Sequence, residues 1–195
     1  GFCTRILNLG GGYGVRYVDS DPYIDIDKCI CEVSVHIKEK CNLNGIEMPT
    51  ILMEPGRSIV ADSGITVYTV GAVKKIEGYK NYVSVDGGMT DNPRYTLYQA
   101  EYTILLANRA NEKADFLCTV AGCCCESGDL IQEDVLLPKP LRGDTLAILT
   151  TGAYNYSMAS NYNRIPRPPV VMLSEGRSYV AVRRETPDDL IAYDV

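Results

Sequence analysis

The sequence lacks the residue spacings that mark a zinc site. It contains one histidine, His36, and eight cysteines, but no Cys-x-x-Cys pair. Structural zinc sites combine four cysteine or histidine ligands at short, regular spacings, so the sequence predicts no metal site. Three cysteines are consecutive, at positions 123–125, which is a poor arrangement for a disulfide framework. We therefore expect free thiols in a reducing, cytoplasmic setting.

Long hydrophobic runs and an excess of positive charge are also missing. No apolar run approaches the length of about 20 residues that a membrane-spanning helix needs. The first residues show no basic-then-apolar signal segment and no initiator methionine, and they run directly into an apolar stretch, so we expect the chain to begin inside a fold. The formal net charge of −6 argues against nucleic acid or an anionic membrane as a partner.

What remains is the composition of an ordinary globular protein. The chain has 195 residues, of which 46% are hydrophobic and 23% charged. This is enough for one large domain or two small ones.

The first third of the chain has the pattern of a βαβ unit. Apolar runs at 6–9 and 50–53 are typical of buried strands. A helix is predicted to start at Asp19-Ser20-Asp21-Pro22, and apolar residues at positions 26, 30, 33, 37 and 41 would form one of its faces. His36 falls on its surface. Strand, loop, helix and strand in this order predict a parallel pair of strands.

Each predicted strand leads into a loop suited to an anion. Residues 10–14 contain four glycines, which leave backbone N–H groups unshielded. The second strand leads into Glu54-Pro55-Gly56-Arg57-Ser58, where the proline and glycine turn the chain and the arginine can grip phosphate or carboxylate. Both loops leave the carboxyl ends of their strands, which is where ligands of parallel α/β folds bind. Taken singly, each loop could equally be a plain surface turn.

The remainder of the chain is rich in short β-like runs separated by turns. They fall at 65–70, 72–76, 82–85, 102–107, 114–120, 144–149, 170–173 and 179–182. Frequent short strands predict an antiparallel β domain, and Thr186-Pro187 could open a short final helix. We place a domain boundary near residues 60–65, giving segments 1–62 and 63–195.

Three further motifs of the β region carry residue types with useful chemistry. Arg94 and Tyr98 are four residues apart, so on a helical turn they would share a face and could hold a carboxylate together. Cys125 and Glu126 place a thiol beside a carboxylate, just before Ser127-Gly128-Asp129. Tyr154 follows Gly152-Ala153 after a buried-looking strand. Alone, each could be structural.

Together, the ordered motifs resemble one family. Its members are the pyridoxal-phosphate-dependent decarboxylases with an alanine racemase-like fold, and the resemblance, over about residues 6–165, is to the C-terminal half of their diaminopimelate branch. The matching stretches are Gly10–Gly14, Glu54–Ser58, Asp86–Met89 with Asn92–Tyr98, Cys125–Asp129 and Gly152–Tyr154. The fold implied by the resemblance is α/β plus all-β: the last two βα units of a TIM-type (β/α)8 barrel, then an antiparallel, Greek-key-like β-barrel or sandwich.

The resemblance also implies roles for these residues. The cofactor would be pyridoxal phosphate, held by Gly11, Gly12, Glu54, Pro55, Gly56, Arg57 and Tyr154. The substrate, meso-diaminopimelate, would be bound by Arg57, Arg94, Tyr98, Glu126 and Tyr154. The carboxyl groups would meet the arginines and Tyr98, and the distal amino group would meet Glu126. Cys125 would donate a proton to the carbon that loses carbon dioxide. Its loop would enter the partner's site in a homodimer. Cys123 and Cys124 would be buried structural thiols.

One departure from the family is severe. In relatives the lysine that forms the Schiff base, and a histidine that stacks on the cofactor ring, lie on early barrel strands, and neither stretch is present here. A full barrel needs about 250 residues. We therefore expect this polypeptide alone to be inactive as a decarboxylase. Two alternatives stay open: part of an ornithine- or arginine-type decarboxylase, or a catalytically dead dimerising module.

Overall fold

The first part of the fold is a two-stranded parallel sheet with one long helix. The structure is a computed structural model that describes residues 3–195. Strand β1 (Ile6–Asn8) pairs in parallel with β2 (Thr50–Leu52), and helix α1 (Ile26–Leu43) connects them. This arrangement confirms the predicted βαβ unit. The single histidine, His36, is exposed on α1, also as predicted.

Helix α1 begins four residues after the proline at which the sequence placed its start. Asp25 is the N-cap, because its carboxylate accepts the N–H of Lys28 at 3.0 Å. Asp21 instead accepts the N–H groups of Tyr17 and Val18, which makes it part of a preceding turn. The capping group is therefore the last aspartate before the apolar periodicity rather than the first.

The core of the molecule is a six-stranded mixed sheet. Its strand order is β5-β8-β3-β4-β6-β7. The strands are β3 (Thr66–Lys75), β4 (Asn81–Val85), β5 (Ile104–Leu106), β6 (Phe116–Ala121), β7 (Leu130–Leu137) and β8 (Thr145–Ile148). Buried apolar side chains from all six strands pack into one cluster. Its bulkiest fully buried members are Tyr102, Leu106, Ile131, Leu137, Leu146 and Ile148.

The prediction of a wholly antiparallel domain is wrong at one pairing. Strands β4 and β6 are parallel, whereas the other four pairings of this sheet are antiparallel. Parallel neighbours need a long connection. Residues 86–115 provide it, and they carry helix α3 (Arg94–Tyr98) and β5. As a result, the loops that follow β4 and β6 leave the sheet at the same edge.

The sheet nearly closes on itself. Its two outer strands, β5 and β7, approach each other, and the backbone N–H of Tyr102 donates to the side-chain oxygen of Gln132 at 2.7 Å. This contact gives the sheet a barrel-like form.

Strand β7 is the element that the sequence reading missed. It contains the polar run Gln132-Glu133-Asp134, and Asp134 has a positive φ of 53°. The pairing with β6 is irregular on both sides of Val120. These irregularities break the strict alternation by which a strand is usually identified, although Ile131, Val135 and Leu137 still point into the core.

The chain ends in an exposed hairpin and a short helix. Strands β9 (Val170–Ser174) and β10 (Arg177–Val182) are antiparallel neighbours, and α4 (Pro187–Leu190) follows. Thr186 and Asp189 form a reciprocal capping box. Both predicted strands and the predicted final helix are confirmed. No helix within residues 3–195 combines the length and apolar character that crossing a membrane requires.

Glu185 should titrate far below its ordinary range. The Arg167 side chain and backbone N–H both donate to its carboxylate, and the Asn161 amide donates at 2.7 Å, which together lower its pKa to about 2. A depressed carboxyl pKa contributes stability that is fully present above the unfolded value near 4.5 and is lost as pH falls towards 2. Carboxyl-carbon NMR of the chain should show this midpoint. A midpoint near 4.5 would contradict the arrangement.

Candidate functional site

The glycine loop and the turn after β2 lie side by side. The N–H of Leu9 donates to the carbonyl of Leu52 at 3.0 Å, and that of Glu54 donates to the carbonyl of Gly10 at 2.8 Å. A Cβ atom on Gly11 would lie only 2.1 Å from the carbonyl oxygen of Glu54. The absence of a side chain at Gly11 is therefore what allows the two loops to touch.

The loop beyond Gly11 has the form of an anion cradle. Gly12 has a positive φ of 88°, and no atom lies within 4 Å of where its Cβ would be. The N–H groups of Gly11 and Gly12 have no acceptor in residues 3–195. Unpaired N–H groups on a glycine backbone with open space before them fit a phosphate group.

Tyr154, although distant in the sequence, approaches the turn after β2. The guanidinium carbon of Arg57 lies 5.5 Å from the Tyr154 ring centroid, which is cation–π distance. A Cβ on Gly56 would stand 3.5 Å from the Tyr154 hydroxyl. Tyr154 has a positive φ of 67° and is 43% exposed. The left-handed conformation aims its side chain at the turn that contains Pro55.

The loop that carries Tyr154 is docked on helix α2 (Gly56–Val60) and the residues after it. The N–H of Thr151 donates to the carbonyl of Gly64, and that of Gly152 donates to the carbonyl of Ala61, both at 2.9 Å. A Cβ on Gly152 would lie 1.9 Å from the carbonyl oxygen of Val60. The glycine of this motif is thus needed for close backbone approach.

Arg94 lies at the start of α3 and is only 6% exposed. Its guanidinium donates to the hydroxyls of Tyr17 and Tyr102, both at 2.9 Å, and lies over both rings. No carboxylate within residues 3–195 forms an ion pair with it. Because only neutral hydroxyl groups accept its hydrogen bonds, the positive charge of this buried arginine is not neutralised and is available to an anion.

A buried polar network extends from Arg94 to the Tyr154 loop. The Tyr102 hydroxyl that accepts from Arg94 also donates to the side-chain oxygen of Asn155 at 3.3 Å. The Asn155 amide then donates to Asn92 at 2.6 Å. This network joins the segment before α3 to the residue after Tyr154. The motif that contains Arg94 and the motif that contains Tyr154 are therefore connected through buried side chains.

Tyr98 is placed differently from its predicted partner. The helical turn Arg94–Tyr98 is present, but Tyr98 is 64% exposed whereas Arg94 is buried. The turn ends at Gln99, which has a left-handed conformation. The joint grip of a carboxylate by these two side chains stays a prediction.

The cysteine loop after β6 presents Cys125 and Glu126 at the surface. Both residues are exposed. The N–H of Cys125 donates to the Asn163 side chain at 2.7 Å, and the Glu126 carboxylate accepts from the Tyr162 hydroxyl at 3.4 Å. The loop backbone is held, while the thiol and the carboxylate face outward.

The neighbouring thiols differ from the sequence-based expectation. The prediction that both are buried is wrong for Cys123, which is exposed, and holds only in part for Cys124, which is half-buried. Burial, reinforced by the charge of Asp129, raises the pKa of Cys124 to about 12, and the same two causes raise that of Cys123. Both thiols therefore stay protonated at neutral pH.

The structure also brings in residues that the sequence reading did not assign to a site. Tyr102, eight residues after Arg94, and the more distant Tyr17 accept hydrogen bonds from its guanidinium, and Asn155 joins the network through Tyr102. No local spacing marks them, since a tyrosine in a turn and one before a strand look ordinary. Within the described part of the chain, no group of three or more histidine, cysteine, aspartate or glutamate side chains could hold a metal ion.

Comparison with known proteins agrees with this geometry. Residues 17–152 match the model of the pyridoxal-dependent decarboxylase, C-terminal sheet domain. Diaminopimelate decarboxylase of Bacillus subtilis (strain 168) is 47% identical over 194 residues, which is 100% of this chain and 44% of that relative. The enzyme of that name from Staphylococcus aureus (strain COL) is 48% identical over 195 residues, covering 46% of its length. The chain thus spans less than half the length of these curated relatives.

Solved structures show the same likeness. The crystal structure of diaminopimelate decarboxylase from M. jannaschii superposes with a TM-score of 0.88 at 34% identity, over 100% of this chain and 44% of that one. A lysine/ornithine decarboxylase from Vibrio vulnificus gives 0.67 at 27% identity, over 82% of this chain and 40% of that one. With more than half of its residues matched by the family model, which describes the C-terminal sheet domain, the chain belongs to the pyridoxal-dependent decarboxylases.

Proposed function

We propose that this chain is the C-terminal portion of a pyridoxal-phosphate-dependent diaminopimelate decarboxylase, a carboxy-lyase that forms L-lysine and carbon dioxide from meso-diaminopimelate. The observation that carries the proposal is the convergence of two loop backbones, Arg57 and Tyr154 on one anion cradle. High identity to diaminopimelate decarboxylases along the whole chain supports this branch of the family.

The residues of the cradle suit the phosphate of the cofactor. The N–H groups of Gly11 and Gly12 would donate to it, Glu54 to Arg57 would complete the cradle, and the Tyr154 hydroxyl would close over it. When bound, pyridoxal phosphate supplies the electron sink that makes loss of carbon dioxide feasible. The protein's part is to hold, orient and shield.

Substrate recognition requires both signs of charge, because diaminopimelate has two carboxylates and two ammonium groups. Arg57, Arg94 and Tyr98 would hold carboxylate, and Glu126 would hold the distal ammonium. The unpaired charge of Arg94 and the exposed carboxylate of Glu126 support these roles. A diamine-forming enzyme would have no distal carboxylate to hold.

Cys125 is the proposed proton donor. Its backbone is fixed by Asn163 while its thiol is exposed, so it can reach a substrate without a change in the loop. A positioned thiol can act as a general acid towards a reacting carbon. The Cys125–Glu126 loop would enter the partner's site in a homodimer, and we expect the enzyme to be cytoplasmic.

The first 62 residues would be the last two βα units of a (β/α)8 barrel, with residues 63–195 as the β domain. None of the residues of α1 is fully buried, and Ile6 and Leu52 of the parallel pair are exposed, as expected if further barrel strands and helices pack there. The cradle residues 8–14, 54–57 and 152–154 include no lysine. The Schiff-base lysine would come from the rest of the barrel.

The isolated chain should therefore release no carbon dioxide from diaminopimelate and should show no absorbance of lysine-bound cofactor. Co-expression with the N-terminal part of a close relative should restore both signals. The control is the same co-expression with Tyr154→Phe and Gly12→Val, which should weaken cofactor retention. Turnover by the isolated chain would refute the proposal.

The alternative within the fold is an ornithine- or arginine-type decarboxylase, for which the match to the Vibrio vulnificus enzyme is the supporting observation. Assay of the reconstituted enzyme on diaminopimelate, ornithine and arginine decides between them. A catalytically dead dimerising module is the third candidate. It predicts a monodisperse dimer in analytical ultracentrifugation and no activity after reconstitution.

A further inference from the structure

Asp129 connects two loops that carry proposed functional residues: one leads to Arg94, and the other carries the Cys125–Glu126 pair that would enter the partner's site. Asp129 is 3% exposed, and its carboxylate accepts the backbone N–H of Met89 and that of Cys124, each at 2.6 Å. Met89 belongs to the turn after β4 that leads to Arg94, and Cys124 belongs to the loop that presents Cys125. Because β4 and β6 are parallel, the two loops are neighbours at one edge of the sheet.

Two glycines make room for this carboxylate. A Cβ on Gly88 would lie 2.6 Å from both carboxylate oxygens, and one on Gly122 would lie 2.2 Å from the nearer oxygen. One glycine comes from each loop. The carboxylate therefore occupies a slot that exists only because both loops lack a side chain there.

No basic side chain within residues 3–195 forms an ion pair with Asp129. Burying a carboxylate is costly unless it is well hydrogen-bonded, and here backbone N–H groups provide the hydrogen bonds. Holding two backbones is thus its evident use. A second tie runs in parallel, since the Thr96 hydroxyl of α3 donates to the carbonyl of Gly128 at 2.9 Å.

We propose that Asp129 is a positioning residue that fixes the distance between the Cys125–Glu126 pair and the segment carrying Arg94. The catalytic consequence rests on the proposed function. The mechanical consequence, that this carboxylate joins both loops beside the Thr96–Gly128 hydrogen bond and the hydrogen bond from the Cys123 N–H to the Gly87 carbonyl, does not depend on it.

Asp129→Asn is the sharpest test, because it preserves shape and removes the ability to accept two N–H groups. One of the two loops would face an amide NH2 instead of an oxygen. In hydrogen exchange of the chain, the amides of Met89 or Cys124 should exchange about tenfold faster, as loss of a charge-assisted hydrogen bond implies. Amides in the middle of β4 and β6 should change less than about twofold.

Asp144→Asn is the matched control. Asp144 is another buried carboxylate, 6% exposed, which accepts from Asn108, Arg109 and the N–H of Leu141 near the start of β8. This substitution should accelerate exchange around Leu141 and leave Met89 and Cys124 unchanged. Equal effects of the two substitutions on the two site loops would overturn the proposal, as would unchanged exchange at both Met89 and Cys124 in Asp129→Asn.

Gly122→Ala provides a second, independent variant if Asp129→Asn does not fold. Its added methyl group would meet the carboxylate, so it should open the cysteine loop in the same way.

A second measurement, the rate of thiol alkylation, accompanies both variants. Burial and, after it, the charge of Asp129 raise the pKa of Cys124, and opening of the loop would reduce both, so Asp129→Asn should speed alkylation of Cys124 by iodoacetamide at pH 8, whereas Asp144→Asn should not. Unchanged alkylation in Asp129→Asn would count against the held geometry.

In the reconstituted decarboxylase, Asp129→Asn should lower kcat/KM for diaminopimelate by about tenfold with cofactor affinity unchanged, because only the substrate-facing loops shift. Loss of cofactor affinity to the same extent would overturn the positioning role. If the reconstituted wild type proves inactive, the proposed function fails, and exchange in the chain still decides whether Asp129 holds the loops.

Discussion

Replacing Gly152 by alanine should destabilise the chain by about 3 kcal/mol and abolish cofactor retention in the reconstituted enzyme. The new Cβ would lie 1.9 Å from the carbonyl oxygen of Val60, and the contact is with backbone, which cannot turn aside as a side chain could. The loop must move away from α2, which breaks the hydrogen bonds of Thr151 and Gly152 and carries Tyr154 away from Arg57. Urea unfolding and cofactor titration measure the two effects.

Gly71→Ala is the matched control for this experiment. A Cβ at Gly71 would lie 3.4 Å from the Ser84 hydroxyl oxygen, a side-chain atom that can adjust by a few tenths of an ångström. Gly71 lies in β3, away from the cradle, so its replacement should change unfolding by less than about 1 kcal/mol and leave the cofactor bound. If Gly152→Ala behaves like Gly71→Ala, the close docking of the Tyr154 loop is wrong.

Replacing Arg94 by methionine should weaken binding of diaminopimelate, or of the product L-lysine, by a hundredfold or more, and should cost about 2 kcal/mol of stability. Two hydrogen bonds from a charged donor to Tyr17 and Tyr102 are lost, which accounts for the stability term. Loss of a bidentate carboxylate contact accounts for the affinity term, since about 2.7 kcal/mol corresponds to a hundredfold. Urea unfolding of the chain and ligand titration of the reconstituted enzyme report them separately.

Tyr17→Phe separates the two effects of Arg94. It removes one acceptor but leaves the guanidinium and its contact with the ring, so it should cost about 1 kcal/mol of stability and reduce affinity by less than tenfold. Similar affinity losses in Tyr17→Phe and Arg94→Met would mean that the arginine supports the fold and does not bind the substrate.

The predictable features of this chain are those with local causes. The apolar runs before the two loops, the glycines of residues 10–14 and the Pro55-Gly56 turn all act within a few residues, so β1, β2 and the turns between them follow from short-range preferences. The capping pair Thr186 and Asp189 is another local signal, and the final helix appears where it indicates. Helix α1 begins later than the sequence predicts, because three aspartates precede it and only Asp25, the one nearest the apolar repeat, caps it.

Features that depend on distant partners were missed or misjudged. Strand β7 is stabilised by pairing with β6 despite its polar centre and the left-handed Asp134. The parallel pairing of β4 and β6 joins strands separated by residues 86–115. The hydrophobic periodicity of a strand does not indicate whether its neighbour runs parallel or antiparallel to it. Arg94 and Tyr98 have helical spacing, but only Arg94 is buried, because Tyr17 and Tyr102 pack against it.

The order of the motifs along the chain was enough to indicate the family, and the residue types able to hold phosphate, carboxylate and ammonium could be named from it, because glycine, proline and arginine have properties that act within their own turns. The tertiary structure alone decided which motifs meet. The docking of Gly152 on Val60, the contact of Tyr17 with Arg94 and the two loops joined by Asp129 bring together residues far apart in the chain, and such contacts arise only when the whole sheet has formed.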